Sequence, residues 1–277
     1  MSLQTDRSYL LDRQYRDATN LNARVALHAR FSTNRYGWYR WVSDQIVLSP
    51  GNRLLELGCG PGGIWPALLP NLPTDIALCL TDLSGGMVET ARKTLDDALT
   101  ADAENIHNVR AMYAVADAAT IPFPDASFDA VIANHMLYHV PDLPATLGEI
   151  RRVLRPGDTL YASTIGRGHL KELDELLNVI SPGVDPWGGE RPTTFMLDDG
   201  DKDLAPFFPH IERRVYPDGL KVTDTDALLA YALSTAARAE LEVGDRLETL
   251  GCLVDDEIAA HGAFSITKET GMFIARL

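Results

Sequence analysis

The chain has 277 residues, 45% of them hydrophobic and 23% charged, a balance that supports a folded core and excludes wholesale disorder. Lys and Arg number 25 against 39 Asp and Glu, and the formal net charge of -14 repels a phosphate backbone over most of the surface, so no nucleic-acid partner is expected. No apolar run reaches the ~18 residues of a membrane helix, and the segment MSLQTDRSYLLDRQYR lacks a compact apolar stretch before a cleavage site, so the expected address is cytoplasmic with no membrane partner. The three cysteines, Cys59, Cys79 and Cys252, contain no Cys-x-x-Cys pair and suggest neither a disulfide framework nor a zinc site.

Residues 1–49 read as a helical N-terminal cap, with polar starts at Asp17 to Asn20 and an aromatic cluster of Phe31, Tyr36, Trp38, Tyr39 and Trp41. Short apolar runs follow at Leu54 to Leu57, Ile76 to Leu80, Val109 to Ala116 and Phe128 to Ala133, each trailed by a segment of helical composition. Runs without alternation suit parallel strands buried on both faces. Leu143, Leu147, Ile150 and Leu154 fall on one helix face, and Pro156-Gly157 is expected to stop that helix before a fifth strand at Thr159 to Thr164. The repeated alternation predicts an α/β fold with a doubly wound, Rossmann-like sheet whose ligands bind at the carboxyl ends of the strands.

Residues 50–165 therefore form the expected core of a single domain spanning 1–277. Residues 166–222 read as an insertion, with a helix near Lys171 to Ile180 and then a loose stretch from Ser181 to Pro217 that still has Trp187, Phe195, Phe207 and Phe208 to bury. Residues 223–277 are expected to form helices from Asp224 to about Ala260 and an antiparallel pair, Phe264 to Thr267 with Met272 to Ala275, turning at Lys268 to Gly271. The total is a seven-stranded, mostly parallel sheet with an antiparallel C-terminal strand.

The first strand runs into Glu56-Leu57-Gly58-Cys59-Gly60-Pro61-Gly62-Gly63. Glycines permit positive φ and close approach of a ligand to the backbone, and a following helix presents free N–H groups. Gly58, Gly60 and Gly63 also satisfy G-x-G-x-x-G, and Asp82 ends the second strand roughly 20 residues on, as in dinucleotide-binding units. A nicotinamide cofactor is thus one reading of the loop, although no Tyr-x-x-x-Lys pair accompanies it.

The neighbouring motifs favour another. LLELGCGPGG, LTDLSGGM, AVADAATIPFPDASFDAVIANHMLYHV and LGEIRRVLRPGDTLYAS occur in that order, and over Arg53 to Thr164 the sequence resembles the class I S-adenosylmethionine-dependent methyltransferases, in particular their small-molecule branch. The resemblance implies S-adenosyl-L-methionine as cofactor and S-adenosyl-L-homocysteine as product. It implies that Glu56, Gly58, Cys59 and Gly60 line the methionine end of the cofactor, and that Asp82, followed by Leu83, accepts hydrogen bonds from both ribose hydroxyls. Asp117 would face the adenine amino group, with Ala118 beside the ring, and Asn134 would lie nearest the sulfonium. Asp82 and Asp117 could instead be capping acids, and Glu56 could pair with a neighbouring cap residue. Asp158 stands where the family usually has glycine, and Gly85-Gly86 replaces a bulkier pair after Asp82.

Methyl transfer needs positioning of the acceptor and, for some acceptors, removal of its proton. Asn134-His135-Met136-Leu137 differs from the Asn-Pro-Pro-Tyr-like signature of enzymes acting on planar amino groups, and Asn134 replaces the Asp of metal-dependent catechol-type enzymes, so no metal is expected. His135 and His139, four apart, could share a helix face. His135 is the candidate general base, against the alternative of a packing histidine, and Tyr15, Phe31 and Tyr138 are candidate acceptor-pocket residues. The expected protein is a monomeric or homodimeric methyltransferase of a small organic acceptor, enclosed by the N-terminal cap and the insertion. The alternatives are an NAD(P)-dependent oxidoreductase and a non-catalytic cofactor-binding module.

Overall fold

The computed structural model describes residues 5–11, 19–101, 108–183 and 194–277; Tyr15, Asp17 and Trp187 lie outside them. In chain order the elements begin with α1 (Arg7–Tyr9), α2 (Thr19–Phe31), α3 (Trp38–Ser43), β1 (Arg53–Leu57) and α4 (Trp65–Leu68). They continue with β2 (Ala77–Asp82), α5 (Gly85–Ala101), β3 (Arg110–Val115), β4 (Phe128–Asn134), α6 (Leu143–Val153) and β5 (Leu154–Ile165). The remainder comprises α7 (Lys171–Ile180), α8 (Gly200–Leu204), β6 (His210–Val222), α9 (Thr225–Leu233), α10 (Arg238–Leu241), α11 (Arg246–His261) and β7 (Phe264–Arg276).

The strands form a seven-stranded sheet in the order β3-β2-β1-β4-β5-β7-β6. The neighbours among β1 to β5 pair in parallel, and the sheet is mixed, with one antiparallel strand. Side chains alternate across each strand. Leu55, Leu57, Val131, Ala133, Leu160 and Ala162 enter one apolar cluster with Leu143, Leu147 and Ile150 of α6. Leu54, Leu78, Leu80, Ala130 and Ile132 enter another, with Trp65, Leu68 and Ala91 and Leu95 of α5. Burial on both faces is why these strands read as continuous apolar runs. Each of the α6 leucines and Ile150 contributes about 1.5 to 3 kcal/mol by leaving water, and Asp142 caps the helix by accepting the Ala145 N–H at 3.0 Å.

Three boundaries differ from expectation. Helix α6 stops at Val153, ahead of Pro156-Gly157, because Leu154 already pairs with Phe128 and the carbonyls of Arg152 and Val153 accept the Ala126 and Ser127 N–H groups. The Pro-Gly pair lies inside β5. Lys268 to Gly271 is no turn: β7 is continuous, since a Cβ at Gly271 would overlap the Arg214 carbonyl and Lys268 and Glu269 are held along the strand by Asp218 and Gly168. The loose stretch expected up to Pro217 already contains α8 and the first half of β6. Pro217 is tolerated there because β6 is the outermost strand of the sheet.

The chain divides into a larger unit, Trp38–Ile165 with Thr194–Tyr216 and Gly271–Leu277, and a smaller one, Met1–Gly37 with Gly166–Thr193 and Pro217–Thr270. The expected cap is thus not one piece, since the division falls between α2 and α3. In the smaller unit Leu27 and Phe31 of α2 are buried with Leu173, Leu177, Leu228, Leu250 and Val254 of α7, α9 and α11. There the carboxylate of Asp218, fully buried, pairs with Lys268 and accepts from the Ser32 hydroxyl at 2.7 Å and the Asn34 N–H at 3.0 Å. Burial pushes the Asp218 acid up, but Lys268, Ser32 and Asn34 outweigh it and hold its pKa below the usual value.

Candidate functional site

The larger unit brings the predicted cofactor residues together because β3, β2, β1 and β4 are successive neighbours. Their registers set Leu57 beside Thr81 and Ala133, and Asp82 beside Val115. Glu56 and Gly58, Asp82, Asp117 and Asn134 therefore stand in a row at the carboxyl ends of parallel strands, and the Ala116 N–H donates to the Asp82 carbonyl at 3.0 Å.

The loop after β1 needs its glycines. Gly58 and Gly60 have φ of 60° and 52°, and a Cβ at Gly58 would lie 2.8 Å from the Met136 Cβ. Cys59 donates its N–H to the Thr81 carbonyl at 2.9 Å, which fastens the loop to β2. Gly60 then donates its N–H to Asp82 Oδ2 at 2.9 Å, while Ser84 donates to Oδ1 at 2.8 Å. A carboxylate has about four lone-pair sites, so capacity remains for a further donor. Burial raises the Asp82 pKa, and the N–H groups of Ser84, Gly60 and Leu83 counter the rise in part. The helix behind the loop is shorter than the motif suggests: α4 is four residues long, with Pro66 in its first turn, and passes into a 3-10 turn at Leu69–Asn71. Gly85-Gly86 does not prevent α5 from starting, because the Ser84 hydroxyl accepts the Met87 N–H at 3.3 Å.

Glu56 is buried beneath this loop, 2% exposed. Trp65 donates its indole N–H to Glu56 Oε2 at 2.8 Å, so the predicted pairing partner is an aromatic donor and not a cap. Burial pushes the Glu56 carboxyl up to about 8; the Trp65 bond lowers it and the nearby Asp82 charge raises it. The Tyr39 phenol lies against Gly63, where a Cβ would be 2.6 Å from its oxygen, and burial followed by the Glu56 charge raises its pKa. The Cys59 thiol, buried beside both carboxyls, is pushed far above its ordinary range. Trp65 and Tyr39 were not legible as site residues, since nothing in their local sequence marks them as neighbours of a carboxylate.

Asp117 Oδ1 accepts the Ala119 N–H at 2.9 Å, which gives it the turn-capping geometry of an Asx turn, and Ala118 beside it is buried. Asn134 ends β4 next to Ser163 of β5. Its Oδ1 accepts from the Ser163 hydroxyl at 3.1 Å, and its Nδ2 is buried without a hydrogen-bond partner. His135 follows with φ of 50°, a left-handed conformation that costs a non-glycine residue about 1 to 2 kcal/mol. That conformation and a 3-10 turn at Leu137–His139 mean that His135 and His139 do not share an α-helical face. The His135 ring centroid lies 5.1 Å from that of Trp38 and 6.4 Å from that of Tyr138. Trp38 in turn packs against Trp41 and Tyr216. Phe31 belongs to the smaller unit, buried in its apolar cluster. Among the described residues, no three His, Cys, Asp or Glu are grouped to hold a metal ion.

Residues 55–162 match the family model for a methyltransferase domain, and the strand order, the glycine loop after β1 and the acid at the end of β2 lie within or beside that span. Among curated relatives, the chain is 37% identical over 119 residues to 27-O-demethylrifamycin SV methyltransferase of Amycolatopsis mediterranei, covering 43% of this chain and 40% of that one. It is 29% identical over 153 residues to the ubiquinone/menaquinone biosynthesis C-methyltransferase of Vibrio cholerae, covering 55% and 56%. The chain therefore spans about half the length of the curated relatives it matches. The solved structure of phosphoethanolamine N-methyltransferase 2 of Haemonchus contortus has a similar fold, with a TM-score of 0.55 at 18% identity, covering 96% of this chain and 59% of that one.

Proposed function

We propose that the protein transfers a methyl group from S-adenosyl-L-methionine to a small organic acceptor, at oxygen, nitrogen or carbon. The observation that carries the reading is the row of strand-end groups around the glycine loop, in which the Asn134 Nδ2 is buried with its hydrogens unused. An orphaned donor of this kind is costly unless a ligand oxygen meets it. The nicotinamide alternative finds no support, since the matching relatives are named as methyltransferases.

When bound, the cofactor supplies a methyl group on a sulfonium, a good leaving group. Asp82 would hold the ribose hydroxyls with its remaining lone pairs, and Asp117, Leu83 and Ala118 would flank the adenine. Glu56, Gly58, Cys59 and Gly60 would line the methionine end, where a carboxylate opposite a cationic ligand is favourable. His135 would orient the acceptor or take its proton, with Tyr138 beside it. Acceptor choice would reside outside residues 55–162, since the part shared with relatives of different named substrates lies within or near that span. Further parts of the reading are a cytoplasmic monomer or homodimer and no nucleic-acid partner. No helix among the described residues is long and apolar enough to cross a membrane.

Titration calorimetry tests the reading: micromolar binding of S-adenosylmethionine and S-adenosylhomocysteine, about 8 kcal/mol, and none of NAD. Asp82→Ala should weaken binding by about 2 to 4 kcal/mol through loss of two charge-assisted hydrogen bonds. Equal affinity of wild type and variant would remove Asp82 from the site. Release of the demethylated cofactor across a panel of phenols, quinols, hydroxy acids and amines then identifies the acceptor class. Tight cofactor binding with no turnover on any of them would favour the non-catalytic module.

A further inference from the structure

We infer that Ser163, a residue outside the predicted site, is the positioning residue that turns the Asn134 amide into a donor for the cofactor's α-carboxylate. The inference rests on the methyltransferase reading. Ser163 is fully buried on β5, directly beside Asn134. Its hydroxyl oxygen accepts the His135 N–H at 3.1 Å, and its single proton goes to Asn134 Oδ1 at 3.1 Å. The same His135 N–H also reaches the Ser163 carbonyl at 3.2 Å.

These bonds have a direction. A hydroxyl has one proton to give, and here it is given to an amide oxygen. Rotating the amide by 180° would bring the NH₂ group against that proton and move Oδ1 to where Nδ2 now lies. The buried serine would lose its acceptor, which costs an unmet buried donor. Ser163 therefore selects the rotamer in which Nδ2 faces away from β5 with both hydrogens available. It also fixes the chain where β4 ends, because the left-handed His135 is tied to the same side chain. The ligand that such a donor recognises is an anionic or carbonyl oxygen. The cofactor carries its carboxylate at the methionine end, the end assigned to the neighbouring glycine loop.

The test uses the full chain and two probes, S-adenosylhomocysteine and 5′-methylthioadenosine, which lacks the amino-acid portion. Ser163→Ala, Asn134→Ala and the double variant are titrated with both, and thermal melting is recorded alongside. The expected result is a roughly tenfold loss of S-adenosylhomocysteine affinity in Ser163→Ala, little change for 5′-methylthioadenosine, and a double variant no weaker than Asn134→Ala alone, since Ser163 acts through that amide. Unchanged S-adenosylhomocysteine affinity in Ser163→Ala, an equal loss for both probes, or additive losses in the double variant would overturn the assignment while leaving the methyltransferase reading intact. Failure of the wild type to bind S-adenosylhomocysteine would overturn both.

Discussion

Glu56 combines two properties that pull against each other: burial favours its neutral form in the free protein, and it faces the end of the site proposed for a ligand that carries a sulfonium and an ammonium. Its pKa of about 8 in the folded state lies above the ordinary 4.5 of the unfolded chain. Below pH 4.5 both states carry the proton and nothing is lost. Between pH 4.5 and 8 the unfolded chain releases the proton and the folded one keeps it, so stability falls as pH rises, by about 1 kcal/mol per unit, and levels off above 8. Glu56→Gln should remove that slope from the melting temperature measured between pH 5 and 8; an unchanged slope would place the titration elsewhere. The sulfonium and ammonium of the cofactor favour the ionised form, so binding near pH 7 should release a fraction of a proton, read by calorimetry in buffers of different ionisation enthalpy. His135 offers a second prediction at this scale. As the base it should, on replacement by Ala, cost about 10² to 10⁴ in kcat with cofactor affinity nearly unchanged, whereas a packing histidine against Trp38 would lower the melting temperature and spare the rate.

At the scale of elements, the clamp around Asp218 joins the turn at Ser32 to Asn34 with β6 and β7. Asp218→Ala removes the carboxylate paired with the buried Lys268 ammonium and should destabilise the smaller unit by about 3 to 5 kcal/mol. Asp218→Ala combined with Lys268→Met should recover a large part of that loss in denaturant unfolding, and no recovery would mean that the neutral donors, and not the ion pair, carry the clamp. The same scale shows what could be read in advance. Strands β1, β2, β4 and β5 were legible because burial on both faces writes itself as an apolar run, and α6 because its stripe repeats at helical spacing; β3 is an edge strand with Met112 and Val115 exposed. The motif order also located Glu56, Asp82, Asp117 and Asn134 at strand ends. The fate of Pro156-Gly157 and of Lys268 to Gly271 depended on strands that pair with them from elsewhere, which local turn chemistry does not encode. Trp65 and Ser163 escaped for the same reason: their importance lies in which polar atom they meet. The length of α4, which passes into a 3-10 turn at Pro70, was not read from the sequence.

For the whole molecule, the net charge of -14 sets its behaviour toward polyanions. Arg152 of the Arg151-Arg152 pair is engaged by Glu149 and Asp125, which weakens that pair as a site for displacing counterions from a duplex. No gel shift with DNA or RNA is expected at physiological salt and submicromolar protein, and a salt-sensitive shift would contradict it. The division of the chain adds a different consequence. The larger unit is assembled from three stretches, the last of them Gly271–Leu277, and Phe273 and Ala275 from that stretch share a core with Leu55 and Leu57 beside the glycine loop. A sheet whose first and last strands are some two hundred residues apart in sequence must close long loops before its contacts reward it, which slows folding. Synthesis therefore passes through a long interval in which every proposed cofactor-contacting residue has been made but the core beneath the glycine loop still lacks Phe273 and Ala275, which arrive only after residue 270.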